Sequence, residues 1–225
     1  MNENKYVIIA AAGFGTRMNS QVPKQFLLLA GAPVIVRTIQ SFLKVWNDAQ
    51  FIVALSEEEF PRWEKIRKKF LKKIPIRITK GGATRFHSVK NGLKMIKDHG
   101  IVAVQDACRP FVSEELLTKC WEAVREKGNA VPAIDLKDSV REVMRDGTRH
   151  RSRQKYKVIQ TPQCFTVELL KKAYQQNFNE DFTDDASVVE SVGTKINLVD
   201  GDQKNFKITT PFDLELAEKI LATNT

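Results

Sequence analysis

The sequence predicts an α/β protein: a Rossmann-like, mostly parallel twisted sheet flanked by helices, with an inserted β-arm. Three observations predict it. Short, continuously apolar runs such as Val7-Ile8-Ile9-Ala10-Ala11 recur along the first two thirds of the chain, as expected of strands buried on both faces. Helix-length segments with apolar residues at 3.6-residue spacing lie between them, and parallel strands require such crossovers. The 225 residues, 42% apolar and 28% charged with both signs mixed, suit one large folded domain and exclude a disordered chain.

The elements follow in order. After the first strand, Gly31-Ala32-Pro33 opens a helix that runs to about Leu43, and Phe51–Leu55 is the second strand. Ser56 offers an N-cap, and Glu57, Glu58 and Glu59 fill a first turn, where carboxylates meet the positive end of the helix dipole. Ile74–Thr79 is the third strand. The helix from about Arg85 carries Val89, Leu93 and Ile96 on one face, with Gly100 as its stop. Ile101–Val104 is the fourth strand. Ser113 caps the clearest helix, whose apolar stripe is Leu117, Cys120, Trp121 and Val124 and whose end is Gly128. Asn129–Ala133 is the fifth strand. The rhythm then breaks. Residues 135–157 are polar and rich in charge, with weak strand patterns around Ser139–Met144 and Tyr156–Ile159, and they read as an arm inserted into a single domain spanning 1–225. Helices around Val167–Tyr174 and Asp184–Val192 follow, then a strand near Ile196–Val199 and a final strand Asn205–Ile208. Thr210-Pro211-Phe212-Asp213 starts the last helix with a capping Thr, a Pro in the first turn and an acid at the third position, and Leu214, Ala217 and Leu221 form its buried stripe.

Composition narrows the partners. A net charge of +9 points to anionic ones. Arg67, Lys68, Lys69, Lys72 and Lys73 interleave with Ile66, Phe70 and Leu71 at helical spacing, the pattern of a solvated amphipathic face. No helix-turn-helix, ribonucleoprotein motif or zinc-finger spacing accompanies them, so no nucleic-acid partner is expected. Three cysteines form no disulfide framework and suit a reducing compartment. No apolar run approaches the roughly 20 residues that span a bilayer. The polar Met1–Tyr6 runs directly into a strand, so a cytoplasmic protein with no leader and no membrane partner is expected. His87, His99 and His150 show no metal spacing, and His99 falls near a helix C-terminus, a favourable place for a cation. Cys120 lies on an apolar stripe, and Cys108 has no neighbouring His to activate it.

Ligands of open parallel sheets bind beyond the carboxyl ends of the strands. After the first strand come Ala11-Ala12-Gly13-Phe14-Gly15-Thr16-Arg17-Met18 and then Pro23-Lys24-Gln25-Phe26. Small residues let backbone N–H groups close around phosphate oxygens, and Arg17 and Lys24 add full charge. The dinucleotide fingerprint fails because Met18 stands where its third glycine belongs, and the Gly-Lys-Ser/Thr of a P-loop is missing.

At these residues the chain resembles the nucleotidyltransferase family, and within it the cytidylyltransferases of the non-mevalonate isoprenoid pathway. Beside the two motifs above, the resemblance rests on Gly81-Gly82-Ala83-Thr84-Arg85 with Ser88-Val89, Asp106-Ala107-Cys108-Arg109-Pro110, Thr161-Pro162-Gln163-Cys164-Phe165, Thr183-Asp184-Asp185-Ala186-Ser187 and Asn205-Phe206-Lys207-Ile208-Thr209. It covers nearly the whole chain, and it implies cytidylyl transfer. The phosphate of 2-C-methyl-D-erythritol 4-phosphate attacks the α-phosphorus of CTP, pyrophosphate leaves, and 4-diphosphocytidyl-2-C-methyl-D-erythritol forms.

The resemblance also implies roles. Arg17 and Lys24 stabilise the charge growing on the α-phosphate, while Arg153 and Lys207 align the acceptor phosphate. Asp106 helps to hold Mg2+ on the nucleotide, and its chemistry agrees, since Mg2+ takes hard oxygen ligands. Gly81, Gly82 and Ser88 serve cytosine and CTP recognition, with Ala11, Ala12, Gly13 and Ala107 as further substrate contacts. Arg109 contacts the sugar phosphate or pairs with Asp106, and Ser88 binds substrate or caps its helix. Ser139 and Thr183 are weaker carry-overs, toward the acceptor's hydroxyls or phosphate. Arg153, with Arg151 close by, reaches the partner subunit's site in the family, so a homodimer through the 135–157 arm is expected.

Four departures stand out. Gln105 replaces a frequent His, Cys108 a small alanine and Ser139 a Thr, and no acidic residue precedes Arg85. None removes a charge the chemistry needs. Two rivals remain at this point: transfer to ribitol 5-phosphate, and a non-catalytic nucleotide-binding module of the same fold.

Overall fold

The computed structural model describes residues 3–13, Met18 and 22–223. The chain opens with β1 (Lys5–Ala10), a two-residue hairpin of β2 (Leu28–Leu29) and β3 (Ala32–Pro33), and α1 (Val34–Leu43). It continues with β4 (Gln50–Leu55), α2 (Phe60–Phe70), β5 (Ile76–Lys80), α3 (Arg85–Lys94), β6 (Ile101–Asp106), α4 (Glu114–Lys127) and β7 (Asn129–Asp135). The arm follows as β8 (Val140–Met144) and β9 (Gly147–Arg151), and the chain returns through β10 (Lys157–Ile159), β11 (Gln163–Thr166), α5 (Val167–Ala173), α6 (Asp185–Glu190), β12 (Leu198–Asp200) and α7 (Pro211–Ala222).

The main sheet has the order β10-β7-β11-β6-β1-β4-β5, with β12 also on β7. β1 pairs in parallel with both β4 and β6, and β4 with β5, so the expected α/β sheet is present. It is mixed, because β11 runs antiparallel between β6 and β7, and β10 antiparallel to β7. The expected reading missed β11. Its four residues follow Thr161-Pro162 and lead directly into a helix, so no separate apolar run marks them. β1 carries its neighbours on opposite sides, with β4 and β5 one way and β6 the other, which makes its carboxyl end the switch point where such folds bind ligands.

Alternation along β1 builds two cores. Val7 and Ile9 pack with α1 and α4 side chains such as Ile39, Phe42, Leu117 and Cys120; Tyr6 and Ile8 pack with Val89 and Leu93 of α3 and Leu170 of α5. Gly92 lets α3 lie close on the sheet, since a Cβ there would fall 2.9 Å from Ile8 Cγ2. Cys120 is fully buried, as its place on the stripe requires.

Several boundaries differ from expectation, each for a local reason. Ser56 makes no side-chain cap; Glu57–Glu59 form a 3-10 turn, and α2 starts only at Phe60. Of the basic run, Arg67, Lys68 and Lys69 occupy the last turn of α2, while Lys72 and Lys73 fall in the turn beyond it. α3 ends at Lys94, and Gly100 belongs to the approach to β6 instead, with φ of 142°. The expected strand Asn205–Ile208 forms no ladder, although Ile208 N–H donates to the Cys108 carbonyl at 2.9 Å. In α7, Ala217 is buried but Leu214 and Leu221 only partly so. The arm is a full hairpin, β9 pairing antiparallel with β8, where charged side chains had hidden the second strand. α4 matches closely: Ser113 Oγ accepts from Leu116 N–H at 3.3 Å, and Gly128 closes the helix in the left-handed conformation. Among the described residues, no helix is long and apolar enough to cross a membrane.

The start of α7 is a reciprocal capping box between Thr210 and Asp213. The Asp213 carboxylate accepts from Thr209 N–H, Thr209 Oγ1 and Thr210 N–H, each at 2.8 Å. Partial burial opposes its charge, but these donors outweigh it and hold its pKa below the ordinary 3.8. A depressed pKa contributes stability above the unfolded value that is lost as pH falls through the folded one. Asp213→Ala is therefore expected to cost about 1 kcal/mol at pH 7. The gap from the parent protein should close in acid below the ordinary carboxylate pKa, which thermal melts across pH would measure.

Candidate active site

The register pairs Ala10 of β1 with Asp106 of β6, so the glycine-rich turn and the carboxylate leave the sheet side by side. A cavity of about 400 Å³ opens there. Its lining comes from four segments: Ala10 to Gly13 with Lys24 and Gln25, Gly82 to Arg85 with Ser88, Asp106 to Cys108, and Lys207. Of the expected site residues, Ala11, Ala12, Gly13, Lys24, Gly82, Ser88, Asp106, Ala107 and Lys207 thus line one space. Arg17 lies outside the described residues.

Each wall is braced by its own motif. Gln25 Nε2 donates to the Ala11 carbonyl at 2.7 Å and to that of Gly13 at 3.3 Å, pinning the turn from beneath. Gly81 N–H donates to the Leu55 carbonyl at 2.7 Å. A Cβ on Gly81 would overlap that of Ala12, and one on Gly82 that of His87. Ser88 Oγ accepts from Gly82 N–H and donates to the Thr84 carbonyl, both at 3.0 Å, so its hydroxyl ties the glycine loop to the first turn of α3. Thr84 Oγ1 caps that helix.

Asp106 is the electrostatic centre. Its N–H donates to Thr161 Oγ1 at 3.0 Å. Oδ2 lies 3.0 Å from Lys207 Nζ and 3.3 Å from Arg109 Nε, and Arg85 Nε stands 3.8 Å from Oδ1. Burial alone would raise its pKa, but Arg85, Lys207 and Arg109 outweigh that and hold the carboxyl well below the usual range. Arg109 also donates to the Asn205 carbonyl at 2.7 Å, and Asn205 Nδ2 to the Thr161 carbonyl at 2.8 Å. That chain of bonds fastens the segment carrying Lys207 against Asp106. Of the two readings of Arg109, the pairing with Asp106 is the one made here, and Arg109 does not line the cavity. Burial pushes the Cys108 thiol up to about 12, so it is protonated and unreactive near neutral pH.

The remaining expected residues sit elsewhere. Thr183 is exposed in the loop before α6 and lies off the cavity. Ser139 and Arg153 belong to the arm, where they border a shallow hollow with His150, Arg151, Ser152 and Gln154. The Arg153 guanidinium donates to the Lys137 carbonyl. Sequence reasoning passed over Gln25, Arg85, Thr161 and Asn205, although each stood inside a quoted motif. Their polar side chains brace backbone or carboxylates from other motifs, and no local spacing reveals such long-range bonds.

As a magnesium ligand Asp106 has the right chemistry but supplies a single carboxylate. Among the described residues, no group of three His, Cys, Asp or Glu side chains could hold a metal ion. The fit is to an ion whose other positions are filled by phosphate and water, as is usual for Mg2+.

An open α/β sheet whose switch point carries a cationic cleft around one carboxylate has the form of an anion-binding, nucleotidyltransferase-like protein. Comparison with known proteins makes the assignment specific. The 2-C-methyl-D-erythritol 4-phosphate cytidylyltransferase family matches residues 6–223. The protein of that name from Phocaeicola vulgatus is 44% identical over 97% of this chain and all of its own length. The one from Bacteroides fragilis is 45% identical over 95% of this chain and 98% of its own. Among solved structures, the cytidylyltransferase from Thermus thermophilus superimposes with a TM-score of 0.79 at 32% identity, covering 99% of this chain and 100% of its own. A 4-diphosphocytidyl-2C-methyl-D-erythritol synthase from Anaerococcus prevotii gives 0.83 at 28% identity, over 98% and 99%. The chain belongs to the 2-C-methyl-D-erythritol 4-phosphate cytidylyltransferase family and joins CTP to that phosphate in the non-mevalonate isoprenoid pathway.

Proposed function

We propose that the cavity at the end of β1 holds CTP, and that Lys24 and Arg17 stabilise the charge growing on its α-phosphate while Lys207 and Arg153 align the acceptor phosphate. The observation that carries this reading is the convergence of Lys24 and Lys207 on a space with Asp106 as the carboxylate in its wall. The attacking phosphate is already an anion near neutral pH, so the step needs no general base. The barrier lies in bringing two polyanions together, which fixed cations lower by electrostatic stabilisation and by orientation. The Gly81–Gly82 backbone and Ser88 receive the cytosine side of the nucleotide, and Ala11, Ala12, Gly13 and Ala107 allow its close approach. Asp106 would hold a Mg2+ ion, which when bound would neutralise phosphate charge. Ser139 and Thr183 are proposed as outer contacts to the acceptor, and Arg109 as the residue that keeps Asp106 and Lys207 together.

The same reading makes the active form a homodimer with shared sites. Arg153 lies outside its own chain's cavity, on an arm that exposes Val143, Met144 and Tyr156, with Val158 exposed on the adjoining β10. An isologous pairing would cover those side chains and carry each Arg153 to the other subunit. Mixed dimers test this. Lys24→Ala and Arg153→Ala chains, each nearly inactive alone, should regain about a quarter of the parent rate when co-refolded, because half the dimers are mixed and each has one intact site. No recovery, with mixed dimers shown to form, would place Arg153 in its own chain's site or in none.

A further inference from the structure

Asp185 is the first residue of α6, and its side chain is completely buried. It does not cap the helix. Asp184 does that, accepting from Ser187 N–H at 2.8 Å while Gln163 Nε2 binds its other oxygen at 2.8 Å. Both Asp185 oxygens go to side chains instead: Oδ1 accepts from Tyr174 Oη and Oδ2 from Arg85 Nη2, each at 2.6 Å. Arg85 therefore stands between two carboxylates. It is tightly bonded to Asp185, and its Nε stops 3.8 Å from Asp106 Oδ1, about 0.6 Å beyond the usual hydrogen-bond limit. Lys207 and Arg109 already occupy Oδ2. A guanidinium freed from Asp185 would close on Oδ1 as a charge-assisted pair and block the remaining oxygen.

We propose that Asp185, braced by Tyr174, is a positioning residue that holds Arg85 back and so keeps Asp106 Oδ1 open to the metal-bearing nucleotide. This rests on the reading of Asp106 as a ligand-holding carboxylate. Asp185→Asn keeps the shape but removes the negative charge that holds Arg85 and leaves one acceptor oxygen where there were two. Calorimetric titration with CTP and Mg2+, without acceptor, should show affinity weakened about tenfold or more, the usual scale for loss of an outer partner to a ligand. The Mg2+ concentration for half-maximal rate should rise in parallel, with kcat at saturation much less affected. The double variant Asp185→Asn/Arg85→Gln has no guanidinium to close and should return to within about threefold of the parent affinity. Tyr174→Phe removes only the brace and should weaken binding in the same direction by about threefold.

Unchanged affinity in Asp185→Asn, or in Tyr174→Phe should the former not fold, overturns the proposal. So does a double variant as weak as the single one, which would make Asp185 purely a stabilising ion-pair partner. Asp106→Asn separates the premises. If it binds CTP and Mg2+ like the parent, the ligand reading itself fails. If it binds weakly while Asp185→Asn binds normally, only the restraint is refuted.

Discussion

Lys24→Ala is expected to lower kcat by about 10²–10³, the scale for removing one preorganised electrostatic group from a charged transition state. Lys24 opens a single 3-10 turn, Lys24–Phe26, anchored by the buried Gln25 and Phe26. Gln25, not Lys24, braces the glycine-rich turn through the Ala11 and Gly13 carbonyls. Lys24→Ala leaves that brace in place, and a thermal melt checks that the variant stays folded. The residue borders the same cavity as Asp106 and Lys207 and adds positive charge there. Pyrophosphate release at saturating CTP and acceptor measures the loss. A folded Lys24→Ala protein that turns over normally would remove the electrostatic assignment.

Asp106→Ala is expected to damage both stability and activity. The carboxylate is the common counter-ion of Lys207, Arg109 and Arg85, and without it three cations crowd one wall of the cleft. Breaking a buried pair typically costs several kcal/mol; partial solvation of Lys207 brings the expectation to about 2–3 kcal/mol. For a chain of this size that is about 5–10 °C in Tm. Activity should fall about 10²-fold or more, and added Mg2+ should not restore it, because the carboxylate proposed to hold the ion is gone. Asp106→Asn keeps the shape and part of the hydrogen bonding, so its melting loss should be smaller while its activity loss stays similar. Equal losses of stability and activity in both variants would make Asp106 a structural ion-pair centre alone.

Local forces leave a mark in the local pattern, and long-range ones do not. β1, β4, β6, α4 and the start of α7 were legible because apolar continuity, periodicity and capping act within a few residues. The strand Gln163–Thr166 was not, because what makes it a strand is the gap between β6 and β7 that it fills. The tract Asn205–Ile208 looked like a strand, yet the Arg109 and Cys108 contacts hold it as an extended connector. The motif residues Lys24, Ser88, Asp106 and Lys207 border one cavity, but the motifs did not reveal that Arg109 pairs with Asp106 outside its lining while Arg85 joins the lining.

By itself the sequence determined the α/β class and the segments that meet at the end of the first strand, because small residues for close approach and charges for phosphate are chosen residue by residue; the reaction class came from its resemblance to a known family. Only the tertiary structure decided how charge is shared among them: that one carboxylate serves three cations, and that a second, wholly buried one holds Arg85 from the far side. Those are contacts between residues up to 101 positions apart, such as Asp106 and Lys207. Their energies depend on distance and desolvation in three dimensions, quantities that no local pattern encodes.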